Sequence, residues 1–255
     1  MTSDPTDMDL AKIRVTCNSC HLAKLCLASG LSPLEIEQLN NLVKHNHVLH
    51  RGDFLFRNGE ELSSLYAVLS GSFKLFSYTE EGSEQILGFY YPSEIIGFDA
   101  INNNRHSSSA LALETSSYCI LPLTRLEELS KATPKLQHRV LQLMSKEITQ
   151  DNELKVTLCN KNAEEKVGTF LLSLSNRFNQ RGYSSMTFKL AMSRQDIGNY
   201  LGLTVETVSR ILGRFQKEKI IGINNKAVDI LDLEQLVSIS ITCNNKSLPH
   251  SDTAS

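Results

Sequence analysis

The chain contains no uninterrupted apolar run approaching the roughly 18 residues that a membrane span needs. It also lacks an excess of either charge, because 26 Lys and Arg stand against 28 Asp and Glu for a formal net charge of −2. A membrane-spanning protein and a disordered polyelectrolyte are both excluded on these grounds. The start, MTSDPTDMDL, has no basic n-region of a secretory signal, so the chain is expected to be cytoplasmic. A glycine-rich nucleotide loop of the G-x-G-x-x-G type and a candidate acid-base pair are missing as well, so no catalytic residue is assigned and no enzyme is expected.

What the chain does have is length. Its 255 residues, 41% of them apolar, suffice for one large or two ordinary domains without disulfide staples. The six cysteines, Cys17, Cys20, Cys26, Cys119, Cys159 and Cys243, are in a reducing compartment thiols, metal ligands or inert core residues. Near-neutrality hides a partition of charge. Residues 1–160 carry 14 basic and 19 acidic side chains, residues 161–226 carry 11 and 5, and residues 227–255 carry 1 and 4. A block of net +6 toward the C-terminus suits a polyanion partner.

From about Val48 to Leu123, short alternating segments such as Phe54, Phe56 and Leu65, Ala67, Leu69 are broken by turn residues every 8–12 positions, the pattern of an antiparallel sandwich or barrel. Ahead of it, Ser32-Pro33-Leu34-Glu35 has the N-cap serine, N1 proline and N3 glutamate of a short helix. Behind it, Pro134 opens a helix that runs to about Asn160. Leu141, Met144, Ile148 and Leu158 lie on it at steps of 3 and 4 that pass through Asp151 and Lys155. Such a stripe is a coiled-coil seam between two subunits or a face buried within one chain; its place between two domains favours the dimer.

A further helix is expected from about Asn162 to Asn179, followed by the break RGYSS. In MSRQDIGNYLGLTVETVSRILGRFQK, Ser193 caps a helix bearing Ile197 and Leu201, Gly202 allows a sharp turn, and Thr204 caps a second helix whose core positions are Val208, Ile211, Leu212 and Phe215. Two β-branched segments around Asn224-Asn225 follow as a hairpin. This is a helix-turn-helix with a wing, and Val205, Glu206, Ser209, Arg210 and Arg214 are its DNA-facing candidates. Arginine pairs bidentately with guanine, glutamate accepts from cytosine, and valine touches a thymine methyl.

The block from Met192 to Gln216 resembles the recognition element of the CRP/FNR superfamily of bacterial transcription regulators, and the order of β portion, long helix and winged helix-turn-helix matches along nearly the whole chain. The resemblance implies an α+β fold with an N-terminal double-stranded β-roll (jelly-roll) sensor domain, a long dimerisation helix and a C-terminal winged helix-turn-helix domain. Its parts would be 1–30, a cluster-binding segment; 31–132, the β-roll; 133–160, the dimerisation helix; 161–240, the DNA-binding domain; and 241–255, a flexible tail. The superfamily's E-x-x-S-R, here Glu206, Ser209 and Arg210, contacts bases. Val205 and Ser209 depart from the cyclic-AMP receptor branch and favour a palindrome of FNR-type TTGAT half-sites.

Cys17-x2-Cys20-x5-Cys26 sets three soft ligands on an irregular segment. By chemistry alone it suits an iron-sulfur cluster with a fourth cysteine, a zinc ion with His21, or redox thiols. The FNR branch carries this trio and a fourth cysteine in a context like ETSSYCILPL, which is Cys119. The resemblance therefore implies one oxygen-labile 4Fe-4S cluster per subunit on Cys17, Cys20, Cys26 and Cys119, with Cys159 and Cys243 outside it. Cyclic-nucleotide binders of the superfamily show G-E-L and an Arg-Ser/Thr pair; Gly97-Phe98-Asp99 and Arg105-His106-Ser107-Ser108 depart from both.

Across a parallel seam Asp151 would face its twin, and that repulsion is expected to hold the cluster-free chain as a monomer, with the homodimer forming when the cluster is intact. Lys155 departs from the apolar residue expected there and softens the repulsion. RNA polymerase is the expected partner of exposed turns, Thr79–Ser83 and Arg181-Gly182-Tyr183.

Overall fold

The structure, a computed structural model, describes residues 16–241. Cys243 and all but the first residue of the expected 241–255 tail lie outside the described residues. Helix α1 (Pro33–Leu42) opens on the expected capping box, with the Glu35 amide donating to Ser32 Oγ and the Ser32 amide donating to the Glu35 carboxylate. Eight strands follow: β1 (Lys44–Leu49), β2 (Phe54–Phe56), β3 (Ser64–Ser70), β4 (Phe73–Tyr78), β5 (Glu84–Tyr90), β6 (Ile95–Ile96), β7 (Ser109–Ala112) and β8 (Ser116–Pro122). They form two antiparallel four-stranded sheets, in the orders β1-β8-β3-β6 and β2-β7-β4-β5.

Phe56, Val68, Phe73, Leu75, Tyr90 and Ile96 share one core of the roll. Strand β3 is buried on both faces, because Leu65 and Ala67 turn away from Val68. They pack with Leu27, Leu39, Leu126 and Leu136, so the alternation of Leu65 and Ala67 marks the side of the sheet covered by the cysteine segment and the helices.

After the roll come α2 (Leu123–Ala132), α3 (Pro134–Asn160) and α4 (Ala163–Gln180), the last opened by an Asn162–Glu165 capping box. The C-terminal part adds β9 (Thr187–Lys189), α5 (Arg194–Leu201), α6 (Val205–Lys217), β10 (Ile221–Asn224), β11 (Ala227–Ile230) and α7 (Leu233–Ile241). The wing is a three-stranded sheet, β10-β11-β9, rather than the expected hairpin alone. Helices α2 and α7 and strand β9 are additions to the expected elements; α7 follows Asp232, whose Oδ1 accepts from the Gln235 amide at 2.9 Å, an N-cap that the sequence itself offers. No helix among the described residues is long and apolar enough to cross a membrane.

The C-terminal part docks on the roll along β5, an edge strand whose outward backbone groups need partners. Asn199 of α5 supplies them: its Oδ1 accepts from the Ile86 amide at 2.6 Å and its Nδ2 donates to the Glu84 carbonyl at 2.6 Å. Lys74 bridges Glu84 at 2.5 Å and Asp196 at 3.2 Å. Deeper in, the Glu94 carboxylate takes Arg177 and Arg181 from α4 and its end, and Arg177 also donates to the Phe89 carbonyl. Burial pushes the Glu94 carboxyl up, but the two guanidinium groups outweigh it and hold it below the usual carboxylate range. Arg181 is therefore buried here and is no part of an exposed activating turn; Tyr183 remains 46% exposed.

Candidate functional site

Residues 16–30 form a succession of turns rather than a helix, pinned by buried Leu22, Leu27 and Ala28 and by the Asn40 side chain, which accepts from the Cys17 amide at 2.9 Å. Cys119 arrives from β8, opposite Ala67 of β3. Cys17, Cys20, Cys26 and Cys119 line one cavity of about 40 Å³ whose other walls include Leu22, Leu27, Leu39, Val43 and Leu121. All four are half-buried, whereas Cys159 is exposed near the end of α3.

Burial pushes the Cys17 thiol up to about 12, with Cys26 and Cys20 adding to the effect, and pushes Cys26 up to about 11. As placed, these two thiols keep their protons at neutral pH, and a metal group would displace them. Among the described residues no three His, Cys, Asp or Glu side chains are gathered tightly enough to hold a single ion as they stand. The donor set nevertheless fits a soft, thiolate-bound group: four sulfurs around one apolar wall. His21 is exposed and does not line this cavity.

The stretches Gly97-Phe98-Asp99 and Arg105-His106-Ser107-Ser108 are engaged with each other. Asp99 Oδ2 accepts from the Ser107 amide at 3.0 Å, the Ser108 amide at 3.2 Å and the Ser108 hydroxyl at 2.7 Å, and Oδ1 lies 3.2 Å from His106 Nδ1. Arg105 turns away and donates to the Gly59 carbonyl at 2.8 Å. These donors are already occupied by a side-chain carboxyl of the same chain.

In the helix-turn-helix, Ser193 Oγ accepts from the Asp196 amide, Thr204 Oγ1 from the Thr207 amide, and Gly202 sits at φ +64, as the turn requires. Val208, Ile211, Leu212 and Phe215 are buried, which leaves Val205, Glu206 and Arg210 exposed and Ser209 half-buried on the other side of α6. Arg214 differs. Its guanidinium pairs bidentately with Glu164 of α4 and lies 3.4 Å from Glu218, so it is engaged within the protein. Nothing in the sequence sets Gly198 apart from Gly213; only the neighbours in space distinguish them.

The stripe on α3 divides between two environments. Leu141 and Ile148 are 57% and 61% exposed, and Val156, which lies off the expected stripe, is 56% exposed. Asp151, Lys155 and Leu158 line a cavity of about 380 Å³ against Leu75, Ile86 and Tyr90 of the roll, and Met144 is half-buried. Burial raises the Asp151 carboxyl, and Lys155 opposes that rise. One turn back, the Tyr90 hydroxyl donates to Glu147, whose carboxyl burial pushes up to about 7 against that hydrogen bond, with Glu94 and Asp151 adding to the rise.

Comparison with known proteins agrees with this arrangement. Residues 46–133 match the family described as cyclic nucleotide-binding domain, and residues 190–221 match bacterial regulatory proteins, crp family. The chain is 45% identical over 226 residues, 89% of its length and 90% of the relative's, to the fumarate and nitrate reduction regulatory protein of Yersinia pestis. It is 46% identical over 224 residues, 88% of its length and 92% of the relative's, to the transcriptional activator protein anr of Pseudomonas aeruginosa. Among solved structures, FixK2 of Bradyrhizobium japonicum superposes with a TM-score of 0.70 at 25% identity, covering 76% of this chain and 96% of that one. With its roll, long helix and winged helix-turn-helix, the chain belongs to the CRP/FNR superfamily and is a DNA-binding transcription regulator of the FNR type, not an enzyme.

Proposed function

We propose that this regulator is cytoplasmic and oxygen-responsive, holding one 4Fe-4S cluster per subunit on Cys17, Cys20, Cys26 and Cys119. With the cluster intact it pairs as a homodimer and binds palindromes of TTGAT-type half-sites, activating or repressing promoters with RNA polymerase as partner. The observation that carries this reading is the single apolar cavity shared by the four thiols, three from the turns of residues 17–26 and one from β8. When bound, such a cluster supplies chemistry that oxygen destroys. The chain's own residues do the rest: Leu22, Leu27, Leu39 and Val43 limit the access of water, and the Asn40 side chain fixes the backbone of Cys17. A zinc site built on His21 finds no support in the exposed position of that side chain. A nucleotide phosphate would have to displace Asp99 from three donors.

Pairing through α3 is supported by the outward apolar side chains Leu141, Ile148 and Val156, which a second copy would cover. Asp151 then lies close to the shared axis, where like charges weaken the pair and Lys155 moderates them. On DNA, Arg210 and Glu206 stand free to reach base edges, with Ser209 and Val205 beside them; Arg214 reaches a phosphate only on leaving Glu164. The turn Thr79–Ser83, exposed throughout, is the surface offered to RNA polymerase. Anaerobic purification followed by iron and sulfide analysis tests the reading. About four of each per chain, with visible absorption bleached by air, is the expected result. A colourless chain holding one zinc overturns it.

A further inference from the structure

Helix α3 touches the cysteine segment in two ways. Leu136, Val140 and Leu143 pack in the same core as Cys17, Cys26, Leu27 and Ala28. One residue inside that contact, Arg139, reaches across 113 positions of chain: its Nε donates to the Cys26 carbonyl at 3.1 Å and a terminal nitrogen donates to the Leu25 carbonyl at 2.6 Å. The other terminal nitrogen is held by Gln142 at 3.3 Å, one turn along the same helix. Two successive carbonyls gripped by one planar fork make a rigid attachment, and only arginine presents donors in that geometry. The gripped peptides lie between Ala23 and Ser29, in the turns that carry Cys20 and Cys26 to the cavity.

We propose that Arg139 is the positioning residue that couples the cysteine segment to α3. The Cys20–Cys26 turns move when the sulfur ligands gain or lose a bound group, and the fork transmits that movement to the first half of the helix whose outward face, Leu141 and Ile148, would pair with a second copy. This rests on the reading of the four thiols as the sensor site. A hydrophobic contact alone slides; two hydrogen bonds to fixed carbonyls do not, so the link gives the segment a defined position on the helix.

The test uses the full chain with the variants R139A and R139K. The cysteine segment is switched in two ways, by anaerobic loading with ferrous iron and sulfide and by prolonged iodoacetamide alkylation of the metal-free thiols at alkaline pH. Every chain carries C159S, so that the label does not fall on α3 itself. The helix is read by amide hydrogen exchange over residues 134–148, alongside sedimentation mass. In the wild type each treatment is expected to change exchange over residues 136–143 by about tenfold, whereas in R139A the change is below about twofold with iron and sulfide content unaltered. R139K, with one donor group in place of the fork, falls between. An R139A helix that responds as fully as the wild type overturns the proposal. So does an R139A chain that loses its iron content together with its response, because Arg139 then supports the site instead of reading it. A wild type that takes up no iron or sulfide counts against the cluster reading alone; the alkylation arm then decides the link, which fails where wild type and R139A respond alike.

Discussion

A Cβ built on Gly198 would meet the Leu203 carbonyl oxygen at 2.6 Å, inside the turn that sets α6 against α5. On Gly213, on the exposed side of α6, a Cβ meets nothing within 4 Å. The two glycines look alike in sequence and differ in consequence. Gly198→Ala is expected to destabilise the chain by about 1–3 kcal/mol, since backbone must shift to admit the methyl group. Gly213→Ala should stabilise it by about 0.5–1 kcal/mol by relieving a helix-interior glycine. Urea unfolding of both variants checks the pair, and equal shifts would refute the distinction. Arg210 is exposed and unengaged by any ion pair among the described residues, unlike Arg214. Arg210→Ala should therefore cost about 1–3 kcal/mol at a guanine-containing half-site and relax its specificity. Competition binding against a substituted half-site measures it, and an unchanged preference counts against the base contact.

At the scale of elements, the helices whose ends carry Ser32, Asn162, Ser193 and Thr204 were legible because a cap is a local event, decided within four residues. The start of α2 has no side-chain cap, and β9 is three residues long, so neither left a mark that a one-dimensional reading could find. Helix α3 was legible as a helix but not as a set of faces. Glu147, which reads as one more polar position, lies against Tyr90 with its carboxyl at about 7. A carboxyl whose pKa is raised on folding contributes fully below the unfolded value near 4.5 and loses that contribution as pH rises through 7. Glu147→Gln is accordingly expected to be more stable than the wild type above pH 7, by on the order of 2–3 kcal/mol, with the gap closing toward pH 4.5. Denaturation midpoints across that range measure it; a gap independent of pH would show that the carboxyl does not titrate there.

At the scale of the whole molecule, the +6 block of residues 161–226 holds the helix-turn-helix, and the acidic residues 1–160 hold the roll and α3. Asp151 is exposed on α3, and a second copy pairing through that helix would repeat its charge. Asp151→Ala should shift the metal-free chain toward the dimer, raising its sedimentation mass at a given concentration. If the mass stays that of the monomer, the charge is not what holds the copies apart.

The same division separates what the chain's order of residues determines from what its folding decides. Caps, turn glycines, the spacing of Cys17, Cys20 and Cys26 and the division of α6 into a buried and an exposed face were set by the sequence itself, since each depends on neighbours a few positions away. That Cys119 shares a cavity with the trio, that Arg181 is buried on Glu94, that Arg214 is held by Glu164, that Asp99 engages Ser107 and Ser108 and that Arg139 grips the cysteine segment were decided only by the tertiary structure. Most of those contacts join residues 50 to 114 positions apart, and the Asp99 bonds depend on how its loop closes on itself. No periodicity or spacing encodes such meetings; they follow from how the sheets and helices stack.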